Sequence, residues 1–131
     1  MIYGHGGDDV LIGGAGDDRL FGMGGHDVIR GNGGDDRLLG GDGPDSLDSH
    51  WGDDALFGGP GNDRLSGYVG HDVIVGQAGF DSLRGGWGPD CLASDDGVPG
   101  EMVAGRDGID LADADPGDLV SSATRVHRCP R

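Results

Sequence analysis

The chain has 131 residues, of which 31 are glycine and 34% are hydrophobic, and its 24 acids outweigh 9 basic residues to give a formal charge of −15. That length allows one domain, but so little apolar surface and so much glycine exclude a conventional globular core. The charge would repel phosphate and excludes a nucleic-acid binder, and no apolar run approaches the roughly 18 residues that cross a bilayer.

The opening "MIYGHGGDD" has neither a basic n-region nor an apolar h-region, so no cleavable signal peptide is read there. The acids are uneven: 23 are Asp and Glu101 is the one Glu, while all nine basic residues are Arg. Low hydrophobicity with high charge predicts disorder. Near-exclusive use of the shorter carboxylate predicts something else, a geometric demand such as a turn or a hard cation.

Met1, Ile2 and Tyr3 fit positions seven to nine of a preceding unit. Residues 4–93 then divide, without insertion or deletion, into ten nonapeptides: GHGGDDVLI, GGAGDDRLF, GMGGHDVIR, GNGGDDRLL, GGDGPDSLD, SHWGDDALF, GGPGNDRLS, GYVGHDVIV, GQAGFDSLR and GGWGPDCLA. The fourth position is Gly, the sixth Asp and the eighth Leu or Ile in all ten, and the first is Gly in nine, with Ser49 the exception. Composition bias does not hold three filled positions in phase for ninety residues, so the period is structural.

Each unit reads as a six-residue Gly/Asp turn followed by a three-residue strand with one inward aliphatic. A strand that short stands only by pairing in parallel with copies above and below it. Two units make one flattened coil of 18 residues, with odd and even units on opposite faces. The predicted fold is all-β, a right-handed parallel β-roll (β-solenoid) of stacked coils.

The unit G-G-x-G-x-D-x-U-x resembles the calcium-binding nonapeptide of the RTX (repeats-in-toxin), or haemolysin-type, family. The resemblance covers ninety of the 131 residues. It implies a secreted, extracellular module whose turns hold Ca²⁺ between successive coils. The implied ligands are loop carbonyls and the sixth-position carboxylates Asp9, Asp18, Asp27, Asp36, Asp45, Asp54, Asp63, Asp72, Asp81 and Asp90. Fifth-position help would come from Asp8, Asp17, Asp35, Asp53 and Asn62. The family pattern is broken at the other fifth positions, His26, Pro44, His71, Phe80 and Pro89, and the second position is Gly in four repeats.

Electrostatics favours a cation in such a stack. Each Asp lies about 4.8 Å from its equivalent one coil away. The repulsion is roughly 1–3 kcal/mol per neighbouring pair at effective dielectrics of 20–80. A divalent ion between the two reverses the sign, and Ca²⁺, with its flexible oxygen shell, suits carboxylates plus turn carbonyls better than Mg²⁺. Ten units contain eight pairs one coil apart, and eight Ca²⁺ bring +16 against the formal −15. The prediction is coupled binding and folding, disordered without calcium and rigid with it.

Residues 4–48 and 49–93 match at 27 of 45 positions, including His5 with His50, His26 with His71 and Pro44 with Pro89. A five-unit block has duplicated. Five is odd, so each copy faces the opposite side and the paired histidines share no column. They read as inherited surface residues rather than a zinc or catalytic cluster. Neither Gly-x-Ser-x-Gly nor His-Glu-x-x-His occurs, and no enzyme is expected.

The faces differ. Even ninth positions read Phe21, Leu39, Phe57, Val75 and Ala93, against Ile12, Arg30, Asp48, Ser66 and Arg84 on the odd side. Tyr3, Trp51, Tyr68 and Trp87 are assigned to the even side with Phe21 and Phe57, and Phe80 to the odd. The ladder Phe21, Leu39, Phe57, Val75 is expected to dock a protein partner, a neighbouring domain, the chain's own tail or a second copy. The alternatives are an adhesin-like surface module and a C-terminal fragment of a larger RTX toxin or hydrolase. An ice-binding array is excluded, because Thr124 is the one Thr.

The boundary falls at Ala93, with the β-roll over residues 1–93 and a degenerate repeat and irregular cap over 94–131. "SDDGVPGEMVA" is two residues longer than a unit, "GRDGIDLAD" (105–113) recovers a degenerate turn, and the remainder is expected to cover the last coil. Asp95, Asp96 and Asp107 are candidates for a terminal site, and Cys91 and Cys129 are either bridged or unpaired. The mid-unit start is expected to mark either a fragment or an end that self-associates.

Overall fold

The structure, a computed structural model, describes residues 1–94, 100, 102–107, 111–113, 119–121 and 124–126. One sheet has eight strands, in the order β1 (Ile2–Gly6), β3 (Arg19–Gly24), β5 (Arg37–Asp42), β7 (Ala55–Phe57), β9 (Val73–Val75), β11 (Cys91–Ala93), β13 (Leu111–Asp113) and β15 (Thr124–Val126). The second has seven: β2 (Val10–Ala15), β4 (Val28–Gly33), β6 (Ser46–Trp51), β8 (Arg64–Val69), β10 (Ser82–Trp87), β12 (Met102–Asp107) and β14 (Leu119–Ser121). The chain alternates between the sheets at every strand, and each strand pairs in parallel with the next but one. This is an all-β parallel solenoid of stacked coils.

Through the first five coils the register is one full coil of 18 residues: Leu20 opposes Leu38, and Leu38 opposes Leu56. The eighth-position aliphatics therefore form two facing columns between the sheets. Leu11, Leu20, Ile29, Leu38, Leu47, Leu56, Leu65, Ile74, Leu83 and Leu92 are all buried, and Val103 extends the core. One aliphatic per nine residues suffices because each packs on its own copies above and below.

Two expectations change. The strands are longer and the turns shorter than the glycine content suggests. Most strands run six residues, through positions seven to nine and on through positions one to three of the next unit, which leaves a three-residue turn at positions four to six. Glycine here does not mean loop, since these residues continue the parallel ladder. The same extension corrects the aromatic assignment. Trp51, Tyr68 and Trp87 precede their own unit's turn, so they ride on β6, β8 and β10, in the seven-stranded sheet built from the strands of the odd units. Tyr3, Phe21 and Phe57 lie on the eight-stranded sheet, where Phe21, Leu39, Phe57 and Val75 stand in one register row, each half-buried. Tyr3 stacks on Phe21 at 4.9 Å, and the Arg37 guanidinium lies 4.8 Å over Phe57.

The two-residue insertion after Ala93 is absorbed without loss of the stack. Leu83 opposes Val103 and Leu92 opposes Ala112, twenty residues on rather than eighteen. The next steps are 17 residues, Met102 to Leu119, and 13, Leu111 to Thr124. The C-terminal segment thus adds irregularly spaced rungs to both sheets. Asp95, Asp96 and Cys129 lie outside the described residues, and Asp107 closes β12.

Candidate metal centre

The turns at the two edges owe their shape to glycine at one position above all. The ten fourth-position glycines have φ between 94° and 157°, a region that other residues enter at a cost of roughly 1–2 kcal/mol. From Gly25 onward, the space a Cβ would need is filled by the backbone of the fourth-position glycine one coil before. The Gly25 Cα faces the Gly7 carbonyl, Gly43 faces that of Gly25, and Gly61 faces that of Gly43. Carbonyl oxygens are thereby lined up along each edge and aimed into the gaps between coils. The fourth-position N–H groups complete the turn by donating to third-position carbonyls one coil on, as Gly7 does to Gly24 at 2.7 Å and Gly34 to Trp51 at 3.0 Å.

The second position, also positive in φ, is less strict. His5, Met23, Asn32, His50, Tyr68 and Gln77 hold φ of 76–84° there. These are the departures from the family pattern, and the fold accepts their strain with the backbone unchanged.

Two ladders of carboxylates run along each edge. The inner ladder is the sixth position. Asp27 Oδ1 accepts the Asp9 N–H at 2.9 Å, and the pattern repeats from Asp45 to Asp27, Asp63 to Asp45 and Asp81 to Asp63. On the other edge Asp36, Asp54, Asp72 and Asp90 reach back to Asp18, Asp36, Asp54 and Asp72. Four links on each edge make eight. Asp27, Asp36, Asp45, Asp54, Asp63, Asp72, Asp81 and Asp90 are buried, and Asp9 and Asp18 in the first coil are half-buried.

The second oxygen of this ladder is the anomaly. Oδ2 of Asp9, Asp27, Asp36, Asp45, Asp63 and Asp72 is buried with no hydrogen-bond donor. It faces the Cα of its own unit's first-position glycine, beside a carbonyl from the next coil: Asp27 Oδ2 and the Gly40 carbonyl both crowd Gly22. That crowding explains why the first position is Gly in nine units. At the exception, the Ser49 hydroxyl donates to the Gly67 carbonyl at 3.0 Å.

Burial pushes the Asp63 carboxyl up to about 7, and the charges of Asp81 and Asp45 add to the rise while the Asp45 N–H opposes it. Asp72 rises to about 7 for the same leading reason, with Asp90, Asp54 and Asp53 adding to it and the Asp54 N–H opposing. Asp36, Asp45 and Asp54 are also raised, chiefly by desolvation. A buried acid oxygen with no donor costs free energy unless it is protonated or meets a cation.

The outer ladder is the fifth position, exposed to solvent. Here the side chain reaches forward: Asp8 accepts the His26 N–H at 2.9 Å, Asp17 that of Asp35, Asp35 that of Asp53, Asp53 that of His71, and Asn62 that of Phe80. One coil after His26 and His71 stand Pro44 and Pro89, which have no N–H to satisfy. The off-consensus residues thus follow the same ladder, although the block duplication makes the two cases one event. Because the two ladders lean opposite ways, Asp8 from below and Asp27 from above enter the same gap.

All fifteen residues singled out in the sequence therefore lie along the two turn edges. Among the described residues no three His, Cys, Asp or Glu side chains converge on one point. An ion in these gaps would take backbone oxygens as well, and the signal for those was the unbroken fourth-position glycine. Among the described residues the histidines do not gather: His26 and His71 are on opposite edges, while His5 and His50 sit on opposite sheets.

The architecture is that of a parallel β-solenoid whose turns present carboxylate and carbonyl oxygens between coils. The model of the RTX calcium-binding nonapeptide repeat matches residues 3–38, 30–65 and 66–98. The chain belongs to that family, whose repeats bind Ca²⁺. Comparison with curated proteins and with solved structures finds no match.

Proposed function

We propose that this chain is a calcium-dependent structural module, non-catalytic and secreted, that folds and rigidifies as Ca²⁺ enters the gaps between its coils. The observation that carries the reading is the row of buried Oδ2 atoms without a donor at Asp9, Asp27, Asp36, Asp45, Asp63 and Asp72. By the repeat pattern, Asp18, Asp54, Asp81 and Asp90 belong to the same ligand set. Fourth-position carbonyls complete it.

Asp8, Asp17, Asp35 and Asp53 each keep a second oxygen for an ion after accepting the next coil's N–H. Asn62 has one side-chain oxygen, already bonded to Phe80, and contributes less. Calcium supplies the positive charge that turns a repulsive column into a cohesive one. The chain supplies the ligand oxygens, the glycine backbone that lets them approach, and the aliphatic column that keeps water from the inner side. About eight ions fit the eight inter-coil links, and a compartment rich in free calcium fits their number.

A far-UV circular dichroism titration after chelation tests this, with Mg²⁺ as the control. The expected result is a cooperative coil-to-β transition at about 0.1–1 mM Ca²⁺, the range of extracellular modules. A β spectrum already complete in chelator and unmoved by calcium would overturn it.

A further inference from the structure

The outer face of the seven-stranded sheet carries a second constellation that calcium does not explain. Both tryptophans of the chain are on it. Trp51 on β6, Val69 on β8 and Trp87 on β10 form one register row, with Trp51 66% and Trp87 45% exposed. The neighbouring row is His50, Tyr68 and Gly86. The His50 and Tyr68 rings stack at 4.8 Å, and the next rung is Gly86, which has no side chain with which to continue the stack.

Beside that rung lies a shallow groove lined by Tyr68, Asp48, Arg64, Ser66, Ser82 and Arg84. Its floor is low because Ser66, small and buried, stands between Asp48 and Arg84 in their row. Tyr68 and five hydrogen-bonding side chains around the groove suit a ring that is apolar on its faces and hydroxylated at its rim. A pyranose is such a ring.

The spacing selects a polymer rather than a single sugar. Strands in the sheet repeat every 4.7–4.9 Å, so Trp51 and Trp87, two strands apart, are separated by about 10 Å along the solenoid axis. One pyranose of an extended β-linked glycan advances about as far as one strand. Alternate residues of such a chain are flipped, so equivalent faces recur every two strands, which is the spacing of the two indoles. A strand of this glycan laid along the axis meets one indole, Val69 and the second indole in turn, with Tyr68 beside the middle rung and its groove to the side. The two rows the glycan would follow, Trp51, Val69, Trp87 and His50, Tyr68, Gly86, carry neither carboxylate nor guanidinium, which favours a neutral glycan over a polyuronate. The arginine forks and the serines remain to donate to ring hydroxyls.

We propose that this face is a binding platform for a neutral β-linked polysaccharide, held by Trp51, Trp87 and the Tyr68 groove. The inference stands on the fold and not on the calcium reading. It is tested with the full chain in millimolar Ca²⁺, using cellohexaose and chitohexaose as neutral β-linked probes and maltohexaose and a polyuronate as controls. Tryptophan emission reports on this surface alone, because both indoles belong to it.

The expected outcome is a saturable change in indole emission with one or both neutral β-linked probes and none with maltohexaose. W51A and W87A should each weaken binding at least tenfold by calorimetry, and Y68A should do the same at the groove. These side chains are exposed, so the circular dichroism of each variant should match the parent and show that the fold survives. No binding by either neutral β-linked probe, binding of the polyuronate alone, or parental affinity in a W51A/W87A double variant would overturn the proposal. A parent chain without β structure in calcium would instead count against the calcium reading, and the same spectra separate the two failures.

Discussion

The inner and outer carboxylate ladders occupy consecutive positions of the same turn, and they behave as opposites. Asp35 and Asp36 differ by one residue, yet Asp35 is exposed and reaches forward to Asp53 while Asp36 is buried and reaches back to Asp18. Both use one oxygen on a backbone N–H of a neighbouring coil. The difference lies in the other oxygen, which in Asp35 is on the exposed side of the turn and in Asp36 is sealed against glycine Cα atoms without a donor. Equal side chains therefore carry unequal electrostatic cost, and the buried ladder is the one whose charge is costly unless a proton or a cation meets it.

That contrast breaks most sharply at Asp63. Asp63→Asn retains an oxygen for the Asp45 N–H but removes the charge. In calcium the variant should lose about 3–5 kcal/mol of stability in thermal or urea melts, the range for removing one partner of a buried charge pair. In chelator the sign should reverse, with more β signal than the parent, because a desolvated charge is gone. A loss of equal size under both conditions would mean that the inner ladder is structural without being a cation site.

Acidity should have the next largest effect. The folded carboxyls of Asp63 and Asp72 lie at about 7, above the unfolded value near 3.9. Between those limits the folded chain holds protons that the unfolded chain has released, so stability falls as pH rises. In chelator, β structure should be fullest near pH 4 and lost progressively through pH 7. In calcium the dependence should invert, because ions replace those protons, and calcium binding near pH 6.5 should release protons measurable in weak buffer. A chelated chain whose spectrum is flat from pH 4 to 8 would remove the desolvated-carboxylate account.

Asp35→Asn should do least. Its Oδ1 acceptor for Asp53 survives and the site is exposed, so the loss of one solvent-screened ion ligand should cost no more than about 1 kcal/mol in the same melts. A loss matching that of Asp63→Asn would erase the distinction between the ladders and make the fifth position a full partner in ion binding.

Much of this was legible in the chain itself. The eighth-position aliphatics had to face inward because they are the one apolar residue of each unit that never fails, and all ten are buried. The sixth-position aspartates had to stack because the period admits no insertion before Ala93. Less legible were the turns. A run such as Gly22-Met23-Gly24 looks like loop, but it is the second half of β3, because parallel neighbours satisfy its backbone where side chains are absent. The aromatic misassignment has the same origin. A unit drawn from Gly to Gly cuts each strand in the middle, so Trp51 and Trp87 seemed to belong with the strand that follows them rather than the one they end.

The sequence by itself determined the period, the parallel stacking, the two-sided core and the identity of the carboxylates in the column. These follow from invariance at a fixed spacing, which any one unit imposes on its copies. Tertiary structure decided which oxygen of each carboxylate is satisfied, which way each ladder leans, and which sheet carries the tryptophans. Those outcomes depend on φ at the second and fourth positions and on contacts made one whole coil away. No local pattern encodes them, since a residue and its neighbour across the gap lie 18 positions apart in the chain and one strand spacing apart in space.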